Sequence, residues 1–129
     1  MARQLPKAHA APPTAPAKQR LRAVAGYFAD TEFGDADRLM HDRLRLGIMS
    51  ALSVNASMSF AELKELLKAS DGNLSTHARK LEDAGYIACK KKFASRVPKT
   101  EYSLTSKGKR VFARHLEHME LLIHAAKGT

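Results

Sequence analysis

Residues 70–87 read SDGNLSTHARKLEDAGYI and predict one amphipathic helix, Gly72–Ala84, with a start and a stop signal. Ser70 or Asp71 can cap its first backbone amides, and Gly85 can adopt the left-handed conformation that ends a helix. At 100° per residue the apolar side is Leu74, Ala78 and Leu81. The opposite side gathers Gly72, Asn73, Thr76, Arg79 and Lys80, with Ser75 and His77 at the flanks.

Two helices are predicted before this segment. Leu44, Ile48, Ala51 and Leu52 follow helical spacing within a helix over 39–54. Ser59 and Glu62 form a capping box that begins a helix over 60–68, for which Leu63, Leu66 and Leu67 are the predicted core positions. A tight turn at 69–72 then leads into Gly72–Ala84, and this order predicts a helix-turn-helix.

A β-hairpin and a long helix are predicted after Gly85. Ile87, Cys89 and Phe93 alternate with lysines, and residues 100–104 (TEYSL) alternate again after a turn within 90–99. Thr105 is the expected cap of a last helix, from Ser106 to about Lys127. The predicted fold is mainly α-helical with a small β-hairpin wing (α+β), a winged helix-turn-helix over 41–104.

The charge of the chain is concentrated in this region. The 129 residues have a formal net charge of +9 and one cysteine. Between Gly72 and Arg114 there are eleven basic and three acidic residues, so we expect an anionic partner. The chain has no apolar run long enough for a membrane span and no secretory signal at its start, so we predict a cytoplasmic protein without a membrane partner.

Four segments are predicted along the chain. Residues 1–19, rich in Ala and Pro with scattered basic residues, are expected to be a disordered tail. Residues 20–34 are assigned to a short helix, Leu21–Phe28, and a linker. The winged helix domain is assigned to 35–104, and a C-terminal dimerisation helix to 105–129.

Several spaced motifs together resemble a known family. SDGNLSTHARKLEDAGYI at 70–87, TEYSLT at 100–105 and LMHDRLRLGIMSAL at 39–52 occur in the order found in MarR-like winged helix transcriptional regulators. The resemblance covers about residues 38–125 and departs from the family pattern at Ala78, where leucine is usual. It implies a homodimeric, sequence-specific regulator of double-stranded DNA without enzyme activity.

The face analysis and the resemblance together nominate the site residues. Predicted DNA contacts on the recognition helix are Gly72, Asn73, Ser75, Thr76, His77, Arg79 and Lys80, with Thr76 and Arg79 ranked first for base edges. Predicted backbone contacts on the wing are Lys91, Lys92, Arg96 and Lys99. The wide apolar stripe Leu116, Met119, Leu122 and Ile123 is the predicted dimer interface; the alternative is that the two terminal helices cover each other in a monomer.

Two other functions stay open from the sequence. A basic wing and tail would suffice for an architectural DNA binder without sequence preference. A winged helix can also dock proteins, although the polar recognition face argues against that use. No small-molecule effector is indicated, and one would have to bind between subunits or near Cys89.

Other groups of residues indicate no catalytic or cofactor site. His41, His115 and His118 lack carboxylate or thiolate support, so a solvated or interface role is favoured over a metal site. Cys89 is interpreted as a small core residue; a redox role would require an exposed thiolate whose pKa the nearby lysines lower. No nucleophile-base-acid set, phosphate loop or paired catalytic carboxylates is found, and no cofactor or metal is predicted.

Overall fold

The computed structural model describes residues 31–94 and 96–128. The predicted tail and the predicted helix Leu21–Phe28 lie outside these residues. In chain order the elements are α1 (Thr31–Leu39), α2 (Arg43–Val54), β1 (Met58–Ser59), α3 (Phe60–Leu67), α4 (Asp71–Asp83), β2 (Ile87–Ala94), β3 (Val97–Leu104) and α5 (Ser106–Lys127). These elements confirm the predicted winged helix-turn-helix. None of the described helices is long and apolar enough to cross a membrane.

The chain divides into two compact units. Residues 38–112 form one unit, which contains the helix-turn-helix and the sheet. Among the described residues, the other unit comprises 31–37 and 113–128. The most deeply buried large side chains of residues 38–112 come from the three helices α2, α3 and α4 and from the turn before α2: Met40, Ile48, Met49, Leu63, Leu74 and Leu81.

The predicted helix over 39–54 begins later than expected. Asp42 has an extended backbone, and its Oδ1 accepts hydrogen bonds from the amides of Leu44 and Arg45 at 2.9 and 3.0 Å. The aspartate satisfies donors that have no partner inside a helix, so α2 begins at Arg43. The residue that breaks the expected helix is therefore an N-cap.

The capping box at the start of α3 is confirmed. Ser59 Oγ accepts from the Glu62 amide at 3.1 Å, and Glu62 Oε1 accepts from the Ser59 amide at 2.8 Å. Leu63 is fully buried, but the assignment of Leu66 to the core is wrong, because its side chain is 57% exposed. The helix ends at Leu67 and Lys68 turns into the left-handed region, so the last turn lies at the edge of the core.

The sheet has three antiparallel strands in the order β1-β3-β2. Strand β1 is only two residues long and pairs Met58 with Tyr102; it lies just before the predicted helix over 60–68, where no strand was predicted. Strand β3 begins at Val97, before the predicted Thr100. Pro98 is tolerated there because β1 reaches only Glu101 and Tyr102, so this end of β3 pairs with β2 alone.

Candidate nucleic-acid interface

Helix α4 confirms the predicted division between a buried and an exposed side. Ser70 caps it, since its Oγ accepts from the Asn73 amide at 3.2 Å. Leu74, Ala78 and Leu81 are at most 1% exposed. The small Ala78 side chain is buried at a position where the resembled family has leucine, so the departure changes the volume at that position and not its burial.

The polar side chains of α4 point away from that core. Six of the seven predicted contact residues on this helix are exposed: Gly72, Asn73, Ser75, Thr76, Arg79 and Lys80. They provide an amide, two hydroxyls and two cations on the outer side of one rigid helix. A β-carbon added at Gly72 would meet nothing within 4 Å, so no contact with the described residues explains this glycine.

His77 is the exception, because it packs between α2 and α4. Its Nδ1 lies 2.9 Å from Nη1 of Arg45 and 3.8 Å from Oδ1 of Asp42. A guanidinium group has only donors, so Nδ1 is the acceptor in this contact. The Arg45 side chain also donates through Nε to the Leu39 carbonyl at 2.5 Å. The sequence did not single out Arg45, which connects α2 to the recognition helix.

The register of β2 and β3 divides the wing cations between two faces. Residues directly opposite in an antiparallel pair point to the same face, and the pairs include Lys90 with Glu101 and Lys92 with Lys99. We call Lys90, Lys92 and Lys99 the cationic wing face. Lys91 points to the other face with Phe93. Arg96 lies in the connecting turn with φ 68°.

Acidic side chains near the cationic wing face partly offset its positive charge. Lys92 Nζ lies 3.1 Å from Glu101 Oε1. The amide and hydroxyl of Ser59 lower the pKa of the Glu62 carboxyl, and the charge of Lys99 lowers it further. Like charges directly opposite each other destabilise a sheet. An anion bound at the Lys92–Lys99 pair would reduce the repulsion between the two ammonium groups, so anion binding there is favoured.

A groove at the N-terminal end of α4 was missed by the sequence analysis. It lies between the start of α2, the end of α3 and the start of α4, and its lining includes Arg43, Leu66, Lys68 and Asn73. Two cations therefore border the groove that reaches a predicted base-contacting residue. The groove could not be predicted because helical spacing alone placed Leu66 in the core, whereas its side chain is exposed.

Cys89 does not have the environment of a reactive thiol. It is half-buried, and burial raises the pKa of its thiol above the ordinary value; the Glu82 carboxylate raises it further. The charge of Lys91 and a hydrogen bond with Tyr102 oppose this shift but do not cancel it. The expectation that nearby lysines would lower this pKa holds for Lys91 alone, because Lys90 and Lys92 point to the other face of the strand, and burial outweighs the effect of Lys91.

Helix α5 has an exposed apolar stripe in its second half. Leu116, Met119 and Ile123 are 45%, 40% and 48% exposed, and Leu122 is half-buried. The spacing of three and four residues places the first three on one side of the helix. Four predicted interface residues are therefore at least partly accessible among the described residues.

His115 and His118 are buried, contrary to the solvated role considered for them. His115 Nδ1 lies 2.9 Å from Asp37 Oδ1, and His118 Nδ1 hydrogen-bonds to Asp37 Oδ2. Asp37 thus links α1 to α5 through both of its carboxylate oxygens. The sequence predicts that these two histidines lack a carboxylate partner, because Asp37 is distant from them in the sequence. His41 is exposed, and within the described ranges no three metal-ligating side chains are grouped to hold an ion.

Comparisons with known proteins agree with this architecture. The family model for winged helix DNA-binding domains matches residues 44–123. An uncharacterised protein of Methanocaldococcus jannaschii is 32% identical over 79 residues, which are 61% of this chain and 86% of that protein.

Two solved structures are also similar. A transcriptional regulator homologue from Pyrococcus horikoshii matches with a TM-score of 0.64 and 26% identity, over 81% of this chain and 94% of that one. A mutant MarR from E. coli matches with a TM-score of 0.60 over 87% of this chain and 77% of that one, and its 15% identity shows the fold alone. Family and fold are those of DNA-binding regulators and not of enzymes. The chain belongs to the winged helix DNA-binding domain family of transcriptional regulators and has the MarR-like fold.

Proposed function

We propose that this protein is a homodimeric transcriptional regulator that places α4 in the major groove of double-stranded DNA and the wing on the adjacent backbone. The observation that supports this most directly is that α4 has a buried apolar side and an exposed polar side. Its three apolar side chains are buried, and six of its seven candidate contact residues are exposed. A helix held rigidly by its core face can present short polar groups to base edges.

Thr76 and Arg79 are the proposed base-reading residues. They are three positions apart, so their side chains lie on the same side of α4. A guanidinium can donate two hydrogen bonds to guanine, and a threonine offers a hydroxyl and a methyl group to neighbouring base edges. Asn73 and Lys80 flank them along the helix and are assigned to base or phosphate contacts.

The start of α4 is proposed to receive a phosphate. The first amides of a helix attract anions, and Gly72 leaves the backbone uncovered there. Asp71 would repel a phosphate, but Lys64 Nζ lies 2.9 Å from its Oδ1 and offsets that charge. Ser75 is assigned to a contact with the backbone of the same DNA strand. His77 is assigned to positioning α4 through its contact with Arg45.

The wing is proposed to add affinity with little sequence preference. Lys92 and Lys99 lie side by side on the cationic wing face, and Arg96 lies at the turn. Each phosphate that is neutralised releases counterions and steepens the salt dependence of binding by about 0.9 in log–log slope. Replacing both Lys92 and Lys99 by alanine should therefore reduce that slope by up to about 1.8.

Selection of bound duplexes from a random library tests the proposal. We expect the wild-type protein to enrich a motif, with two half-sites about one DNA turn apart if two recognition helices act together. The double variant Thr76→Ala, Arg79→Ala should lose discrimination at the contacted bases, where each good contact is worth about 1–3 kcal/mol. Ser50→Ala, an exposed change on α2, is the matched control and should enrich the wild-type motif.

Three results would contradict parts of this proposal. Absence of binding to any duplex at about 50 mM salt would exclude DNA as the partner. Binding without an enriched motif would favour the architectural alternative. An unchanged motif in the double variant would show that Thr76 and Arg79 do not read the bases.

The dimer is tested separately by sedimentation. Leu116 and Ile123 are proposed to pack against a second copy, because an exposed apolar stripe on a long helix favours burial. The double change Leu116→Asp, Ile123→Asp should produce a monomer at concentrations where the wild type is a dimer. Arg110→Asp, on a different side of α5, is the charge-changing control and should remain dimeric. A monomeric wild type would contradict the dimer.

A further inference from the structure

The tip of the wing is apolar, and neither the core nor the cationic wing face accounts for it. Phe93 is 75% exposed and Val97 is 63% exposed. Phe93 lies directly opposite Pro98 at the last pairs before the turn. A large aromatic side chain that is three-quarters exposed keeps most of its apolar surface in water, which makes it available to a partner.

The ribbon holds this side chain well away from the three-stranded part of the sheet. Strand β1 pairs only at Glu101 and Tyr102, whereas β2 and β3 continue as a two-stranded ribbon to Ala94 and Val97. At about 3.3 Å per residue, the four residues from Lys90 to Phe93 extend about 10 Å. The ribbon is thus narrow where Phe93 is presented.

The cations around the tip argue for the kind of partner. Lys91 shares the face of Phe93, Lys92 and Lys99 occupy the other face, and Arg96 is in the turn between the strands. An apolar protein surface would have to desolvate these four charges, whereas a nucleic acid supplies phosphates for them and bases for the aromatic ring.

We propose that Phe93 is a wedge that inserts between base pairs from the minor groove and bends the DNA bound by α4. This inference rests on the proposed DNA-binding function. Apolar side chains that enter the minor groove partly unstack a base step and kink the duplex by about 20–90° toward the major groove. The basic residues beside Phe93 hold the phosphates on both sides of the opened step.

The wedge differs from the backbone contacts in its energetic signature. Lysine contacts with phosphates set the salt dependence of binding, whereas an inserted ring contributes a salt-independent contact and a change in DNA shape. Removing Phe93 should therefore lower affinity without changing the salt slope. We expect a loss of roughly 10-fold, in the range found for removal of a base–aromatic contact.

The experiment measures bending and affinity on the duplex that the full-length protein selects. Energy transfer between dyes at the two ends of the duplex reports the bend, and titration at several salt concentrations gives affinity and salt slope. Phe93→Ala should abolish most of the bend and weaken binding roughly 10-fold at an unchanged slope. Phe93→Leu keeps an apolar wedge and should retain part of the bend.

Val97→Ala is the matched control. It shortens the other exposed apolar side chain of the tip, but Val97 pairs with Ala94 and points to the opposite face. This variant should bend DNA as the wild type does. A thermal melt of each variant verifies that the domain is folded, which we expect because both positions are largely exposed.

The outcomes separate this inference from the function on which it rests. If the wild type binds no duplex, the proposed function itself fails. If it binds without bending, or if Phe93→Ala bends DNA as well as the wild type, only the wedge is overturned. Binding to vesicles that contain anionic lipid is measured for the wild type and for Phe93→Ala. If Phe93→Ala loses vesicle binding but still bends DNA as the wild type does, the wedge is overturned in favour of a membrane surface.

Discussion

Replacing Gly108 by alanine tests how the wing and the last helix are joined to the recognition helix. Gly108 lies in the first turn of α5, and a β-carbon built there would be 1.9 Å from the carbonyl oxygen of Tyr86. That oxygen accepts a hydrogen bond from the Thr105 amide at 3.1 Å. Thr105 Oγ1 also donates to the Gly85 carbonyl at 2.6 Å and accepts from the Gly108 amide at 2.9 Å. The residues after α4 and the start of α5 are therefore in direct backbone contact.

The cost of the methyl group follows from this geometry. Real β-carbons essentially never approach a heavy atom within 3.0 Å, so the two backbones would have to separate by more than 1 Å. Such a shift breaks the two hydrogen bonds from Thr105 to Tyr86 and Gly85, at about 0.5–1.5 kcal/mol each. Overpacking adds about 1–3 kcal/mol, and the better helix propensity of alanine returns about 1 kcal/mol. We expect a net loss of about 3 kcal/mol in the free energy of unfolding.

Thermal and urea unfolding followed by circular dichroism measure this loss. For a domain of this size, about 3 kcal/mol corresponds to a fall in Tm of roughly 10–20 °C. Gly72→Ala is the control, since a β-carbon there meets no atom of residues 31–94 or 96–128 within 4 Å; its Tm should be unchanged or slightly raised. Both variants are compared at one protein concentration, because a dimer's Tm depends on it. If Gly108→Ala melts with the control, the close approach and the reasoning from it are wrong.

Three further predictions concern caps and the cysteine. Ser59→Ala removes the hydroxyl that accepts from the Glu62 amide and should cost about 1 kcal/mol in urea unfolding, whereas Ser50→Ala should cost almost nothing. The hydrogen bond from the Arg45 amide lowers the pKa of the Asp42 carboxyl below its ordinary 3.8, and the charge of His77 and the hydrogen bond from the Leu44 amide lower it further. This carboxylate therefore contributes stability above that pH and loses it as the pH falls through the lower folded value; Asp42→Asn should show a flatter decline of Tm below about pH 4. Burial raises the pKa of Cys89 above 9.0, so iodoacetamide should modify it more slowly in the native protein than in urea, and faster native modification would refute this.

Much of the recognition helix could be read from local signals. Ser70, the apolar spacing of Leu74, Ala78 and Leu81, and Gly85 are determined by contacts within a few residues. Such signals survive without knowledge of the rest of the fold, because a cap or an amphipathic face depends on backbone geometry that repeats every turn. The structure moved the ends of this helix by one residue.

The errors arose where a residue's role depends on distant partners. Leu66 has the spacing of a core residue but lies at a groove beside Arg43, because α3 ends directly after it. The two-residue strand β1 is too short to alternate and exists only through its pairing with Tyr102. Asp37 joins His115 and His118 across about eighty residues of sequence.

The sequence by itself determined that the chain has a winged helix-turn-helix, which residues face outward on α4, and that the positive charge is concentrated from that helix onward. Those features follow from helical periodicity, capping and composition. The tertiary structure alone decided that His77 packs against Arg45, that Lys92 and Lys99 share a face while Lys91 points with Phe93, and that Cys89 is not activated. Strand register and burial produce these outcomes, and both are set by contacts between segments that no local pattern encodes.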